Sequence, residues 1–190
     1  MKTLIALVVA ALGMVALAED KSQPQTLTFY VTGMECGSCM AMITQSINEV
    51  KSVKDVSLDI INGYANVTFD PRVASAHQIA QAVFNTMPVH GKPFVPSMKI
   101  RVPDYAKTGN AAKVDEVLAK HPEWVEVELA NKEKGEFVLY YNPLKVDATK
   151  DGPQGWSPEL LAHAIQDPAP KGLGLAFELK KEEPYVPVKR

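Results

Sequence analysis

The strongest constraint on the fold is an internal repeat, because the second half of the chain follows the pattern of the first. Residues 28–32 recur as residues 99–103, and residues 67–71 recur as residues 139–143. Apolar positions correspond in the same way: Ile43 and Ile47 with Val114 and Leu118, Val56 and Leu58 with Val127 and Leu129, and Ile79 and Val83 with Leu161 and Ile165. Self-similarity along a chain indicates that one structural unit is used more than once. The sequence therefore predicts two copies of one unit.

The first copy has the pattern strand, helix, strand, strand, helix, strand. Alternating apolar residues over residues 26–32 predict a strand, and apolar residues at helical spacing predict a helix over residues 39–50. A hairpin follows, with strands over residues 53–60 and Tyr64–Phe69. The dipeptide Asn62-Gly63 between these strands favours a tight hairpin turn.

Capping signals mark the remaining helices. Ser75 and the glutamine three residues after it have the pattern of a capping box and predict the start of the second helix. In the second copy, a helix is predicted from about Asn110 and a hairpin across residues 131–135. Ser157-Pro158 places an N-cap residue before a proline at the first helical position, which predicts the start of the last helix. The last strand is predicted over residues 173–179.

This βαββαβ order describes the ferredoxin-like sandwich, in which two helices cover one face of a four-stranded antiparallel sheet. The fold class is therefore α+β, with two such sandwiches in tandem. Residues 93–102 must supply both the last strand of the first copy and the first strand of the second, with Pro96 between them. We expect these two strands to run nearly continuously and to couple the domains tightly. The predicted domains are residues 26–97 and residues 98–182, with tails over residues 19–25 and 183–190.

The N-terminus has the features of a secretory signal peptide over residues 1–18. Lys2 precedes an apolar run that closes with Ala16-Leu17-Ala18, the small-x-small pattern that signal peptidase cuts, so Glu19 would be the first mature residue. A membrane anchor is the alternative, but the apolar run is shorter than the roughly 20 residues of a spanning helix, and no positive flank follows it. We therefore expect an exported protein, periplasmic or extracellular, with no membrane span after cleavage.

Composition and motifs argue against two classes of function. The net charge is −2, with acidic and basic residues interspersed, so the chain has no basic stripe that could neutralise a run of phosphates. Nucleic acid is therefore not an expected partner. The sequence also has no Ser/His/Asp pattern, no phosphate-binding glycine loop and no paired carboxylates placed for acid–base chemistry. We expect no catalysis of its own.

The two cysteines of the sequence, Cys36 and Cys39, are three positions apart. A disulfide that closes so short a loop constrains the unfolded chain very little, so the pair serves chemistry rather than stability. The pair lies between the first predicted strand and the first helix, where a helix N-terminus lowers the pKa of a thiol. Two thiolates bind soft cations but are too few for a closed tetrahedral zinc site. Cu(I) is the expected ion, with Hg(II), Cd(II) or Zn(II) as alternatives.

The segment Gly33-Met34-Glu35-Cys36-Gly37-Ser38-Cys39 resembles the Gly-Met-x-Cys-x-x-Cys motif of heavy-metal-associated domains. Such domains occur in copper chaperones, copper-transporting ATPases and the periplasmic mercury-binding protein. The resemblance covers roughly residues 26–103. It implies that Cys36 and Cys39 are the metal ligands and that Met34 packs beneath the loop. It also implies a metal-transporting or metal-accepting protein as partner.

The loop after the second helix departs from that family. Residues 85–91 stand where the family commonly has a glycine followed by an aromatic residue or a lysine. The fold would place this loop beside the cysteines, so Met87 and His90 are candidate third ligands, although an ordinary loop is the simpler interpretation. Met40 and Met42 also carry soft sulfur atoms, but methionine on a helix is more often a gap filler in the core.

The second copy has no cysteine. The repeat places Lys107 and Asn110 where the first copy has its thiols, and Tyr105 where it has Met34, so this copy cannot bind a soft metal by the same chemistry. We expect a docking or stabilising role, since a small domain gains stability by burying apolar surface against a neighbour. The remaining histidines are expected at the surface: His77, His121 and His163.

Two other functions are compatible with an isolated cysteine pair. Cys-x-x-Cys at a helix N-terminus is also the motif of thiol-disulfide oxidoreductases. Those proteins normally have an aromatic residue before the first cysteine, where this chain has Glu35. The other function is that of a structural or adhesive repeat protein with a local disulfide. In an oxidising compartment, the pair would rest as a disulfide unless a metal or a reductase protects it.

Overall fold

The computed structural model describes residues 23–144 and 152–183. The predicted signal peptide over residues 1–18, and most of the predicted tails, lie outside the described residues. In the part of the chain that is described, no helix is both long enough and apolar enough to cross a membrane.

The first unit has the predicted order of elements. These are β1 (Gln25–Thr32), α1 (Gly37–Asn48), β2 (Asp55–Asp59), β3 (Tyr64–Phe69), α2 (Ala76–Asn85) and β4 (Val95–Arg101). The β2–β3 hairpin turns at Gly63, whose φ of +67° is one that residues with side chains rarely adopt. α2 opens with the predicted capping box: the Ser75 hydroxyl accepts from the Gln78 amide, and the Gln78 side chain accepts from the Ser75 amide.

The second unit repeats this order from β4 onward. Its further elements are α3 (Asn110–Leu118), β5 (Val125–Asn131), β6 (Glu136–Tyr141), α4 (Glu159–Gln166) and β7 (Glu178–Leu179). α4 begins one residue later than predicted, and the Ser157 hydroxyl donates to the Glu159 carboxylate instead of capping a backbone amide. The last strand is shorter than the predicted residues 173–179. The reason is that the amides of residues 173–175 donate to carbonyls at the C-terminal end of α4.

Within the described residues, seven strands form one antiparallel sheet, and β4 belongs to both units. β4 pairs with β1 on one side and with β6 on the other, so that Ser97 faces both Tyr30 and Tyr140. β7 pairs with Ile100 and Arg101 of β4, beyond the residues of β4 that pair with β1. The strand orders are β4-β1-β3-β2 in the first unit and β7-β4-β6-β5 in the second. The predicted α+β fold of tandem ferredoxin-like units is thereby confirmed.

The expectation of two consecutive strands within residues 93–102 is wrong, because one strand serves both units. Pro96 lies inside β4 opposite Val31, at a point where the pairing with β6 has already ended at Ser97. Proline cannot donate to a ladder and is tolerated where a strand has a partner on one side only. The predicted domain boundary between residues 97 and 98 falls within this shared strand.

A single cluster of buried side chains runs through both units. The rings of Phe29 in β1 and Tyr141 in β6 lie 6.1 Å apart between centroids, and Tyr141 lies 5.8 Å from Trp156. The prediction that His77 lies at the surface is wrong, since it is fully buried with its ring 5.2 Å from Tyr141. Its Nε2 bonds to the Asn142 carbonyl at 2.8 Å, and its Nδ1 accepts from the Trp156 amide at 3.2 Å. The second unit therefore buries a helix of the first.

The segment after β7, residues 180–183, covers the other face of the first unit's sheet. The Asn66 side-chain amide donates to the Glu182 carbonyl at 2.9 Å, and the Glu182 amide donates to the Thr28 hydroxyl at 3.1 Å. The Tyr30 hydroxyl donates to the Glu182 carboxylate, which lowers the pKa of that carboxyl group. The C-terminal part of the chain is thus attached to both faces of the first unit.

Candidate metal centre

The cysteine pair lies at the N-terminus of α1. The helix begins at Gly37, two residues earlier than predicted, because Cys36 acts as its N-cap. The Cys39 amide donates to Cys36 Sγ over 3.1 Å, as it would to the oxygen of a capping serine. The Cα atoms of the two cysteines are 5.1 Å apart, so both side chains meet beside the helix end. The free amides and the dipole of a helix N-terminus favour negative charge on these sulfur atoms.

The sulfur atoms of the pair are joined in a disulfide, and they differ in exposure. Cys39 is 1% exposed and belongs to the core, whereas Cys36 is half-buried. Met34 is also buried in the core at the start of the same loop, as the family resemblance implies. Met40 and Met42 are half-buried on α1, and Met40 packs against the core as a gap filler does. The site therefore opens to solvent on the side of Cys36.

His90 is the third residue that the fold brings to the pair. It lies in the loop between α2 and β4, and one of its ring nitrogens and the two Sγ atoms all lie within 4.8 Å of one another. In the described part of the chain, this is the one group of three or more His, Cys, Asp or Glu side chains gathered closely enough to hold a metal ion. His90 is exposed, and Met87 in the same loop is 75% exposed.

Two loops meet at the site: the cysteine loop, residues 33–36, and the His90 loop, residues 86–94. Contacts between them set their separation. Gly33 has a φ of +90°, and a Cβ at this position would lie 3.1 Å from the Pro93 carbonyl oxygen. Phe94, at the end of the His90 loop, is buried in the core. Glu35 and Lys92 form an exposed ion pair at 3.8 Å, a type of contact that contributes little to stability by itself.

The donor set suits a soft metal ion once the disulfide is reduced. Thiolates select Cu(I) and other soft ions, and imidazole is a ligand for copper and zinc. The group contains no carboxylate, which is the donor that Mg²⁺ and Ca²⁺ require. The arrangement can therefore hold a soft ion with two or three protein ligands while one side stays open for exchange.

The corresponding loop of the second unit, residues 102–109, is closed in the sense that side chains in and next to it bond to one another. Tyr105 is buried like the methionine it replaces, and its hydroxyl donates to the Asp115 carboxylate at 3.0 Å. Lys107 pairs with Asp104 at 2.8 Å, and the Asn110 side chain donates to the Asp104 carbonyl at 2.9 Å. Lys107 and Asn110, which occupy the repeat positions of the cysteines, thus bond within the loop and do not present metal ligands.

The first unit matches a known domain family. The sequence profile of the heavy-metal-associated domain matches residues 28–86, which run from β1 to the end of α2 and include both cysteines. The match covers the first unit only, and the second unit lies outside it.

Similar proteins include a copper-transporting ATPase, MerP and the soluble region of a P-type ATPase. A copper-transporting ATPase from Oryza sativa subsp. japonica is 24% identical over 63 residues, which are 33% of this chain and 6% of the ATPase. Oxidized MerP from Ralstonia metallidurans CH34 is 29% identical, with 38% of this chain and 96% of MerP covered and a TM-score of 0.33. The water-soluble region of the P-type ATPase CopA from Bacillus subtilis is 19% identical. That alignment covers 84% of this chain and 93% of the CopA region, with a TM-score of 0.38.

Proposed function

We propose, from the premise that residues 28–86 form a heavy-metal-associated domain, that this protein binds one Cu(I) ion through the thiolates of Cys36 and Cys39. The ion is cargo, which a metal-transporting or metal-accepting protein supplies or receives. The observation that carries the proposal is the position of both sulfur atoms at the N-terminus of α1, with the Cys39 amide donating to Cys36 Sγ. A thiolate at this position is stabilised before any metal arrives.

Cu(I) is favoured over the other soft ions by ligand number as well as by ligand type. Zn(II) in a structural site takes four protein ligands, and the described residues gather three at this point. Cu(I) accepts a low coordination number and prefers sulfur donors. Hg(II) and Cd(II) also bind thiolate pairs and would compete for the site. A copper-transporting ATPase is among the similar proteins, which supports copper as the physiological ion.

Metal binding requires the reduced form of the pair. Reduction breaks the S–S bond and takes up two electrons and two protons, which a dithiol reductant supplies as it becomes a disulfide itself. The two thiols then release their protons as the metal binds. We also propose, from the pattern of residues 1–18, that the chain is exported to a compartment where bound metal or a reductase protects the thiols.

An anaerobic titration with Cu(I) against a chromophoric chelator tests the proposal. The protein is reduced and then freed of reductant before copper is added. We expect one tightly bound ion per chain, no tight binding by the Cys36→Ser/Cys39→Ser double variant, and wild-type binding by His163→Ala as a control. Weak binding by the wild type, together with reduction of insulin disulfides at the rate of a dithiol oxidoreductase, would contradict the proposal.

A further inference from the structure

We propose that His90 is the third metal ligand, so that the reduced site binds Cu(I) through two sulfur atoms and one imidazole nitrogen. This inference rests on the proposed function, because it assigns a further ligand to the same site. The matched family segment ends at residue 86, before His90 is reached. The observation that carries the assignment is the grouping of a His90 ring nitrogen and both Sγ atoms within 4.8 Å of one another.

The separation of the His90 nitrogen from the sulfur atoms is close to that of a three-coordinate site, whereas the two sulfur atoms, which are joined in the disulfide, must move apart when it is reduced. Metal–sulfur distances of about 2.3 Å and a metal–nitrogen distance of about 2.0 Å, at angles of about 120°, place neighbouring ligand atoms roughly 3.7–4.0 Å apart. The His90 nitrogen therefore needs to approach the sulfur atoms by roughly 1 Å at most. A small rotation of an exposed side chain provides such a movement without a change in the fold.

The imidazole is available for this role. His90 is exposed, and within the described ranges it has no hydrogen-bond or ion-pair partner that ligation would have to displace. The carboxylate of Glu35 already pairs with Lys92 at 3.8 Å. Gly91 has a φ of +75°, which lets the chain turn sharply directly after His90.

Both ends of the His90 loop are fixed relative to the cysteines. The Thr86 hydroxyl donates to the Ala82 carbonyl at 2.9 Å and so attaches the loop to the end of α2. At the other end, Phe94 is buried and the Pro93 carbonyl lies against Gly33 of the cysteine loop. Because the loop is anchored on both sides, holding the imidazole at the metal costs less conformational entropy than ordering a free loop would.

A nitrogen ligand at this position would raise the affinity of the site for Cu(I) more than its affinity for Hg(II). Hg(II) is satisfied by two thiolates in a linear arrangement, whereas Cu(I) readily accepts three ligands. Loss of the imidazole should therefore weaken Cu(I) binding more than Hg(II) binding. His90 would thus be the residue that directs a thiolate pair, which many soft ions can bind, toward copper.

Copper K-edge X-ray absorption of the reduced, Cu(I)-loaded full chain tests this assignment, with His90→Ala as the variant and His163→Ala and Met87→Leu as controls. We expect two sulfur scatterers and one nitrogen scatterer in the wild type and in both controls, and loss of the nitrogen in His90→Ala. Cu(I) affinity from chelator competition should fall at least about tenfold in His90→Ala only, because even outer-shell partners of a metal site are worth roughly 10–100-fold. Hg(II) affinity should change less.

Two sulfur scatterers alone in the wild type, with unchanged affinity in His90→Ala, would overturn the role of His90 and leave the cysteine site intact. A third sulfur scatterer that disappears in Met87→Leu would overturn it in favour of methionine. Failure of the wild type to bind copper would instead overturn the cysteine site and His90 with it. Equal unfolding temperatures of the apo proteins establish that each variant is folded, and His90→Gln replaces the alanine variant if alanine lowers that temperature.

Discussion

Cys36 has two roles at the same position, because its sulfur atom both caps α1 and serves as a metal ligand in the proposed function. The cap is the hydrogen bond from the Cys39 amide to Cys36 Sγ. Serine is among the preferred N-cap residues and presents an oxygen at the same place, whereas alanine presents no acceptor. Substitution by serine and by alanine therefore separates helix capping from metal binding.

For Cys36→Ser, we expect tight Cu(I) binding to be lost while the free energy of unfolding of the reduced apo protein changes by less than about 0.5 kcal/mol. For Cys36→Ala, we expect the same loss of binding and a decrease of about 1 kcal/mol in the free energy of unfolding, the cost of a missing cap. Urea unfolding under reducing conditions measures both values. Equal stability of the two variants would show that the Cys36 cap contributes nothing.

His77 links the stability of the fold to pH. Burial lowers its pKa below the ordinary value of 6.5. Its partners, the Asn142 carbonyl and the Trp156 amide, require a neutral ring with a proton on Nε2 and none on Nδ1. Between the lowered pKa and 6.5, the unfolded chain binds a proton that the folded protein does not, so stability falls as pH falls through this window. Tyr141, which packs against the ring, is neutral in this window, and burial raises its pKa further above the ordinary value of 10.

We therefore expect the free energy of unfolding of the wild type to decrease as pH falls below 6.5, with a contribution from His77 of up to about 1.4 kcal/mol per pH unit. His77→Gln should be less stable at pH 7 but should show a shallower dependence on pH. His163→Ala removes an exposed histidine and should keep the wild-type slope. The measurement is a series of urea unfolding curves from pH 7 to pH 5. A wild-type slope in His77→Gln would contradict this account.

At the scale of elements, the candidate metal centre is formed by two loops, one before α1 and one after α2. Gly33→Ala should lower the free energy of unfolding by about 1–2 kcal/mol, because a φ of +90° is strained for alanine and the new Cβ would lie 3.1 Å from the Pro93 carbonyl oxygen. Gly37→Ala is the matched control. It lies in the first turn of α1 with no atom within 4 Å of an added Cβ, so it should be neutral or stabilising. Similar urea midpoints for the two variants would be evidence against the loop contact.

Element order could be predicted because it depends on local patterns. The capping box at Ser75 and the hairpin turn at Gly63 are signals carried by a few neighbouring residues, and both are confirmed. The shared strand β4 could not be predicted, because two extended segments become one strand or two according to the partners that pair with them. β7 is short for a related reason. Its expected first residues, 173–175, bond to the end of α4, a contact that no periodicity encodes.

The site could be predicted in part for the same reason. Cys36 and Cys39 are identified by type and spacing alone, whereas His90 becomes a candidate only through the expected fold, and its distance from the sulfur atoms needs the structure. Burial of His77 depends on Tyr141 and Trp156, which belong to the other unit. A histidine near a helix end gives no sign in the sequence of such a distant partner.

At the scale of the whole molecule, the second unit supports the first, and its described residues gather no further group of His, Cys, Asp or Glu side chains that could hold a metal ion. It pairs with β4, and it supplies Tyr141 and Trp156 to the environment of His77. The two units share one core cluster. We therefore expect the reduced full chain to unfold in one cooperative transition. The second unit would also remain available for docking a partner, since its own loop is closed.

Deletion of residues 104–190 should lower the free energy of unfolding of the first unit by at least about 3 kcal/mol. The deletion removes Tyr141 and so exposes the side chains of Phe29 and His77, which pack against it. Urea unfolding of the two chains measures the difference, and Cu(I) transfer to an acceptor domain tests docking separately. A truncated chain that is as stable as the full chain and equally competent in transfer would remove both roles of the second unit.

Native mass spectrometry of the reduced chain in the presence of one equivalent of Cu(I) tests the central claim most directly, because it counts both the ion and the protons that leave. For the wild type, we predict one copper ion per chain with the loss of the thiol protons, and for Cys36→Ser/Cys39→Ser we predict only the mass of the apo protein. Copper retained equally by both proteins would contradict the assignment of the cysteine pair as the metal site.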